Sequence, residues 1–232
     1  MNKVTIGLDI AKNIFHLVFL SSSGKVLKKK KLKRANVKEY LCNLESAIVV
    51  MEACGSTNYW AQTIKNYGHE VKVIAPQYVV PYRKGNKNDF NDAEAIAEAS
   101  QRANMRFVPI KNTEQQDIQL LHRIRERRIK FRTAIMNQTR GLLAEYGITI
   151  AQGANQVRKA VPDILEDADN KLTVLSRRHI SSLYGELTAL DELIKELDKQ
   201  LRILSNAKEE CQRLETMTGI GSIIATAFYS AV

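Results

Sequence analysis

Apolar and polar residues change rhythm once along this chain, near Pro109. Before it, short apolar runs alternate with helical patterns. "KVTIGLDIA" and "FHLVFL" are β-branched and aromatic runs of strand length, and the turn "SSSGK" returns the chain into a third strand, "KVLKKKKLK". Together these predict an antiparallel three-stranded meander. "NVKEYLCNL" predicts a short helix with Asn36 as its N-cap, and "SAIVVME" a strand covered on both faces. "STNYWAQTIKNYG" then reads as a helix closed by Gly68, with Tyr59 and Trp60 taken as core residues, and "HEVKVIAP" as a further strand. A meander followed by β-α-β units predicts an α/β fold, a mixed sheet with helices packed on it.

After Pro109 the helices lengthen. Leu121, Ile124, Phe131, Ile135 and Leu142 mark an apolar stripe between Thr113 and Tyr146. A looser segment, 147–170, leads to Ile180, Leu183, Leu187, Leu190, Ile194, Leu197, Leu201 and Leu204, spaced alternately by three and four residues. That is a heptad seam and predicts coiled-coil packing, either on the first long helix or on another subunit. The expected organisation is an α/β domain over 1–108, a helical coiled-coil region over 109–214, and a further domain beginning at 215–232. The closing run "MTGIGSIIATAFYSAV" has neither a polar last turn nor a cap, which is the expectation for a longer protein that continues past Val232.

Composition adds a partner class. Thirty-five Lys and Arg against 25 Asp and Glu give a net charge of +10 over 232 residues and a pI near 9.5, which favours polyanions, nucleic acid first. The surplus concentrates in three runs: Lys28, Lys29, Lys30 and Lys31; Arg83, Lys84 and Lys87; and Arg123, Arg125, Arg127, Arg128, Lys130 and Arg132. One such run is usually a solvated face; three in one chain read as a track for phosphates. Gly219 and Gly221, ahead of an apolar helix, resemble a hairpin whose backbone N–H groups hold a DNA phosphate, although a turn before any buried helix has the same pattern. Three widely spaced cysteines without a CxxC pair argue against structural zinc and disulfides. With no long apolar segment, the expectation is a cytoplasmic protein with no membrane partner.

The chemistry resides in carboxylates. Asp9 ends the first strand in "GLDIAK" and Glu52 ends the central strand in "IVVMEACGS". A carboxylate at the end of an apolar strand is costly to bury unless it is paired or binds a metal. Asp89 and Asp92, in "KNDFNDAEAIAEAS", share a helix face at i,i+3 spacing. Separately these acids read as a turn cap, a lysine partner and first-turn helix acids. Together they form the oxygen-rich set that a two-metal phosphodiester site requires, with Mg²⁺ or Mn²⁺ as the ion.

"GLDIAK", "VVMEACGS" and "NKNDFNDAEAIAEA" after "VIAPQYVVPYRKG" resemble the DEDD transposases of bacterial insertion sequences. These are related to the Piv invertases and described as bridge-RNA-guided recombinases. The resemblance implies a RuvC-like, ribonuclease-H-type domain, then a coiled coil, then the start of a transposase domain at "MTGIGSIIATAF". It places Asp9, Glu52, Asp89 and Asp92 as the catalytic, metal-holding acids. It also implies DNA and a guide RNA as partners, a homodimer or homotetramer, and a serine nucleophile downstream of the Gly-Ile-Gly hairpin. Ser222 does not match that serine's position. Two alternatives stand beside it: a RuvC-type Holliday-junction resolvase, and a non-catalytic nucleic-acid-binding or assembly module.

Overall fold

The meander forms as β1 (Thr5–Ile10), β2 (Ile14–Leu20) and β3 (Val26–Lys33) in a computed structural model that describes residues 3–84 and 88–231. The predicted phosphate contact Lys87 lies outside the described residues. β1 and β2 pair antiparallel, with Asp9 opposite His16, and β2 pairs antiparallel with β3. On its other side β1 runs parallel to β4 (Ile48–Glu52), which runs parallel to β5 (Glu70–Ile74). The sheet order β3-β2-β1-β4-β5 is the RuvC-like, ribonuclease-H-type arrangement. Because β1 and β4 are adjacent and parallel, the acids at their C-terminal ends share one edge of the sheet.

Strand alternation sends two sets of side chains to two faces. Ile6, Leu8, Phe15, Leu17, Phe19, Val49 and Met51 form one core cluster with Val37 and Leu41 of α1 (Arg34–Cys42) and Trp60 and Ile64 of α2 (Thr57–Asn66). Phe15 meets Trp60 edge-on at 4.8 Å. Tyr59, expected in the core, is instead 47% exposed, because neighbouring helix positions point about 100° apart and only Trp60 can face the sheet. α1 also begins earlier than predicted. β3 runs straight into it, Arg34 N–H donates to Asn13 O, and Asn36 lies inside the helix rather than at its cap.

The opposite face carries Gly7, Val18, Leu20 and Val50, and is covered by α4 (Asp89–Ser100). Between β5 and α4 the chain makes only α3 (Pro76–Val79) and a 3₁₀ turn, Val80–Tyr82. The buried face of α4 is almost all alanine: Ala93, Ala95, Ala97 and Ala99, with Ile96. Small side chains on the helix and none on Gly7 let the two backbones approach closely. A methyl group at Gly7 would stand 1.9 Å from Ala93 O and 2.8 Å from Ala97 Cβ.

Residues 1–112 form one unit and residues 113–232 a second. The second is built from α5 (Thr113–Ala144), α6 (Ala154–Glu166), α7 (Val174–Asn206), α8 (Glu209–Glu215) and α9 (Ser222–Ala231). The heptad seam on α7 is real: Ile180, Leu187, Ile194, Leu197 and Leu201 are buried. α7 packs along α5 of the same chain, so this seam is covered within the chain. The stripe expected on α5 is partly out of phase. Phe131 and Leu142 are exposed, and Ile118, Met136, Thr139 and Leu143 are buried instead. Neighbours explain the shift: the C-terminal half of α5 meets Val157 and Val161 of α6 as well as α7, and Met136 and Leu143 point into that cluster. Residues 215–231 pack inside the second unit, where His122 of α5 hydrogen-bonds Thr226 of α9. Among the described residues no helix is long and apolar enough to cross a membrane.

The close approach of α4 to β1 can be tested directly. Gly7→Ala should lower unfolding free energy by about 3 kcal/mol, the range for overpacking a tight core, as a fall in the urea midpoint.

Candidate metal centre

α4 begins with Asn88 as its N-cap, whose side-chain oxygen accepts from Phe90 N–H at 3.0 Å. Neither Asp89 nor Asp92 is therefore needed as the cap. The close packing of α4 on Gly7 lays its first turn across the C-terminal ends of β1 and β4. Asp9 and Glu52 end adjacent parallel strands and Arg83 ties Glu52 to Asp92, so the four acids singled out in the sequence lie at one end of the sheet. Of the four, Asp9 and Asp89 bring ligand atoms within 4.8 Å of each other, and Glu52 and Asp92 stand outside that compact group. Burial is the largest influence on Asp9. With the repulsion of the other three it pushes the carboxyl up to about 6, opposed by Arg83.

Two basic groups complete the cluster. Arg83 reaches Glu52 Oε2 and Asp92 Oδ1, each at 3.0 Å, bridging two acids from different elements. It was expected at a phosphate; here it folds back over the carboxylates as their counter-charge. His16, opposite Asp9 on β2, is 4% exposed, and its Nδ1 lies 3.6 Å from Asp89 Oδ2. Burial holds its pKa below the usual histidine value, the Lys31 charge adding to this and Asp89 opposing it. Asp9, His16 and Asp89 each offer a ligand atom within 4.8 Å of the other two. The donor set of carboxylate oxygens with one buried imidazole fits a hard or borderline divalent cation. Sequence reasoning missed His16. Its one signal was a polar residue inside the apolar run "FHLVFL", and the register with Asp9 that gives it meaning is a tertiary fact.

These three acidic motifs and this sheet belong to a recognisable group. The family model DEDD_Tnp_IS110, described as a transposase, matches residues 6–148. The chain belongs to the DEDD_Tnp_IS110 transposase family. It is 44% identical to the transposase for insertion sequence element IS1111A of Coxiella burnetii, over 98% of this chain and 62% of that protein. It is 40% identical to a probable family 20 transposase of Pseudomonas aeruginosa, over 98% of this chain and 68% of that one. Identity to the transposase for insertion sequence element IS1328 of Yersinia enterocolitica is 37%, over 97% and 66%. The chain thus spans roughly two thirds of these relatives' length, 62% in the first case. A structure of T. thermophilus RuvC in complex with Holliday junction substrate overlaps at a TM-score of 0.34 and 14% identity, covering 46% of this chain and 99% of that one. The sheet order, rather than that overlap, carries the fold assignment.

The basic runs of this DEDD_Tnp_IS110 member are divided by the fold. Lys28 and Lys30 lie over the rings of Phe19 and Tyr40, and Lys29 pairs with Glu94 of α4 at 2.8 Å. Lys31, opposite His16, is exposed. All four sit on an edge strand, where lysines also discourage pairing with a foreign strand. Lys84 pairs with Glu98 at 2.6 Å. On α5, Arg125 pairs with Asp198, Arg132 with Asp191, and Arg128 donates to Leu193 O, all on α7. Arg123, Arg127 and Lys130, at i, i+4 and i+7, are exposed and share the other face. Gly219 adopts φ +88° in the turn between α8 and α9, and Gly221 O accepts the first-turn bond from Ala225 N–H.

The raised Asp9 has a stability signature. Its folded pKa exceeds the unfolded value near 3.8, so its penalty is absent below pH 4, grows as pH rises to about 6, and is complete above that. In chelator, Asp9→Asn should therefore stabilise the chain above pH 6, by on the order of 1 kcal/mol after solvent screening, and leave it unchanged near pH 4. Thermal unfolding across that pH range measures it.

Proposed function

We propose that this chain is the metal-holding and nucleic-acid-binding part of an insertion-sequence DNA transposase, a recombinase that cuts and rejoins DNA. The placement of Asp9 beside Asp89, with Glu52 and Asp92 joined through Arg83 at the same end of the sheet, supports the reading. In it these acids hold divalent ions, Mg²⁺ or Mn²⁺, whose chemistry when bound is to polarise a phosphate and activate the attacking oxygen. The residues of the chain have separate tasks. Asp9 and Glu52 are fixed by rigid strands, Asp89 and Asp92 by a helix whose cap is supplied by Asn88. Arg83 neutralises Glu52 and Asp92 in the absence of ions and is long enough to turn toward a phosphate once they are neutralised otherwise.

The rest of the reading comes from the family resemblance. Strand cleavage would use a serine nucleophile from a part of the protein beyond this chain, and a bridge RNA would select the DNA. The organisation is a DEDD domain over 1–108, a helical region over 109–214 and the start of the transposase domain at 215. The protein would act in the cytoplasm as a dimer or tetramer. Since the α7 seam is covered by α5, assembly would use other surfaces; Leu120, Phe131 and Leu142, eleven residues apart on one exposed face of α5, are suited to a second copy.

The network of Arg83 with Glu52 and Asp92 favours a second reading, in which the acids are structural and the chain is a binding module without metal chemistry. Metal titration separates the two. Mg²⁺ or Mn²⁺ should raise the melting temperature of the wild-type chain by several degrees, about what binding at a hundredfold excess over Kd supplies, and should not move an Asp9→Asn/Asp92→Asn double variant. Equal behaviour of the two would leave the binding-module reading.

Nucleic-acid binding has its own check. Affinity for RNA or DNA should fall steeply with salt. Replacing Arg123, Arg127 and Lys130 by Ala should lower the slope of log K against log salt by about 2 to 3, if each contacts one phosphate.

A further inference from the structure

We infer that His16 is a direct metal ligand of this centre: its Nδ1 joins carboxylate oxygens of Asp9 and Asp89 around one ion and biases the site toward Mn²⁺ over Mg²⁺. The inference rests on the carboxylate centre proposed above and adds a nitrogen donor that the four-acid motif does not contain.

Three observations carry it. First, placement: Asp9 and His16 are directly opposed on β1 and β2, so both side chains leave the sheet on the α4 side, where Asp89 lies in the first helical turn. Second, an unmet need: His16 is 4% exposed, and its Nδ1 is buried with no hydrogen-bond partner. Buried polar atoms in proteins are nearly always bonded, and an unbonded nitrogen beside the Asp89 carboxylate is suited to share an ion with it. Third, spacing: Nδ1 is 3.6 Å from Asp89 Oδ2, and the three candidate ligand atoms lie within 4.8 Å of one another. Atoms bound about 2.1 Å from a common ion lie roughly 3 to 4.2 Å apart, so small side-chain rotations close the set. The ring is also held in place, packed edge-on against Phe90 at 4.7 Å.

The ion preference follows from ligand chemistry. Mg²⁺ favours an all-oxygen octahedron and gives up its waters reluctantly, whereas imidazole suits first-row transition ions. Among metals that also accept carboxylates readily, Mn²⁺ is the one expected to gain from the histidine.

Pulsed electron paramagnetic resonance of the chain with one equivalent of Mn²⁺ tests this without relying on a variant. The wild-type spectrum should show ¹⁴N modulation from a directly bound imidazole. In His16→Phe, which keeps a ring against Phe90, the modulation should vanish. Its Mn²⁺ affinity should fall about tenfold or more, and its Mg²⁺ affinity by less than about threefold. Mn²⁺ bound without nitrogen modulation would overturn the role of His16 and leave the carboxylate centre intact. No Mn²⁺ binding at all would overturn both. If His16→Phe fails to fold, the wild-type spectrum decides.

Discussion

The metal centre proposed for this chain depends on how closely one helix lies on one strand. Gly7 has no side chain and α4 offers almost only alanine, so the helix backbone comes to rest against β1. That contact sets the height and the direction of α4, and with them the position of Asp89 and Asp92 over Asp9 and Glu52. A longer residue at any of these positions would lift the first turn by the width of a methyl group or more. A carboxylate set that must share a small ion tolerates little of that, since ligand geometry is kept by its supporting contacts. The sacrifice is in stability: Asp9 is partly buried beside other acids, and burial first, then their repulsion, pushes its carboxyl up to about 6.

The rest of the charge is organised around that concentration. Arg83 opposes the shift on Asp9 and bridges Glu52 and Asp92. Lys29 and Lys84 meet Glu94 and Glu98 further along α4, so the exposed side of this helix is held by pairs. In the helical unit the arginines serve two ends. Arg125, Arg128 and Arg132 fasten α5 to α7, with Asp191 shared between Arg132 and Arg158. Arg123, Arg127 and Lys130 remain on the opposite face. A run of positive charge in sequence is therefore two surfaces in space, one used for packing and one open to solvent.

Much of the first unit is legible in the sequence. β-branched and apolar runs with their turn residues marked the strands, and the uninterrupted run of β4 announced a strand covered on both faces, as an interior strand of this sheet is. The heptad seam of α7 was equally plain, because its leucines and isoleucines keep their step over the whole helix. Phase was harder on α5. It touches different partners along its length, so no single stripe describes it, and Phe131 and Leu142 were misread as buried. Asn36 was misread as a cap because nothing local says that a strand will pass into a helix without a break.

By itself the sequence determined the element order, the heptad seam, the basic surplus and the candidate acids with their family motifs. These are properties of local periodicity, charge and residue type, which need no partner to be expressed. Tertiary structure decided what each group faces. It joined Asp9 to His16 through strand register, gave the helix cap to Asn88, turned Arg83 onto two acids, and spent the α7 seam on α5. Register, helix height and side-chain direction come from contacts between residues far apart in the chain, and no pattern read along the chain contains them.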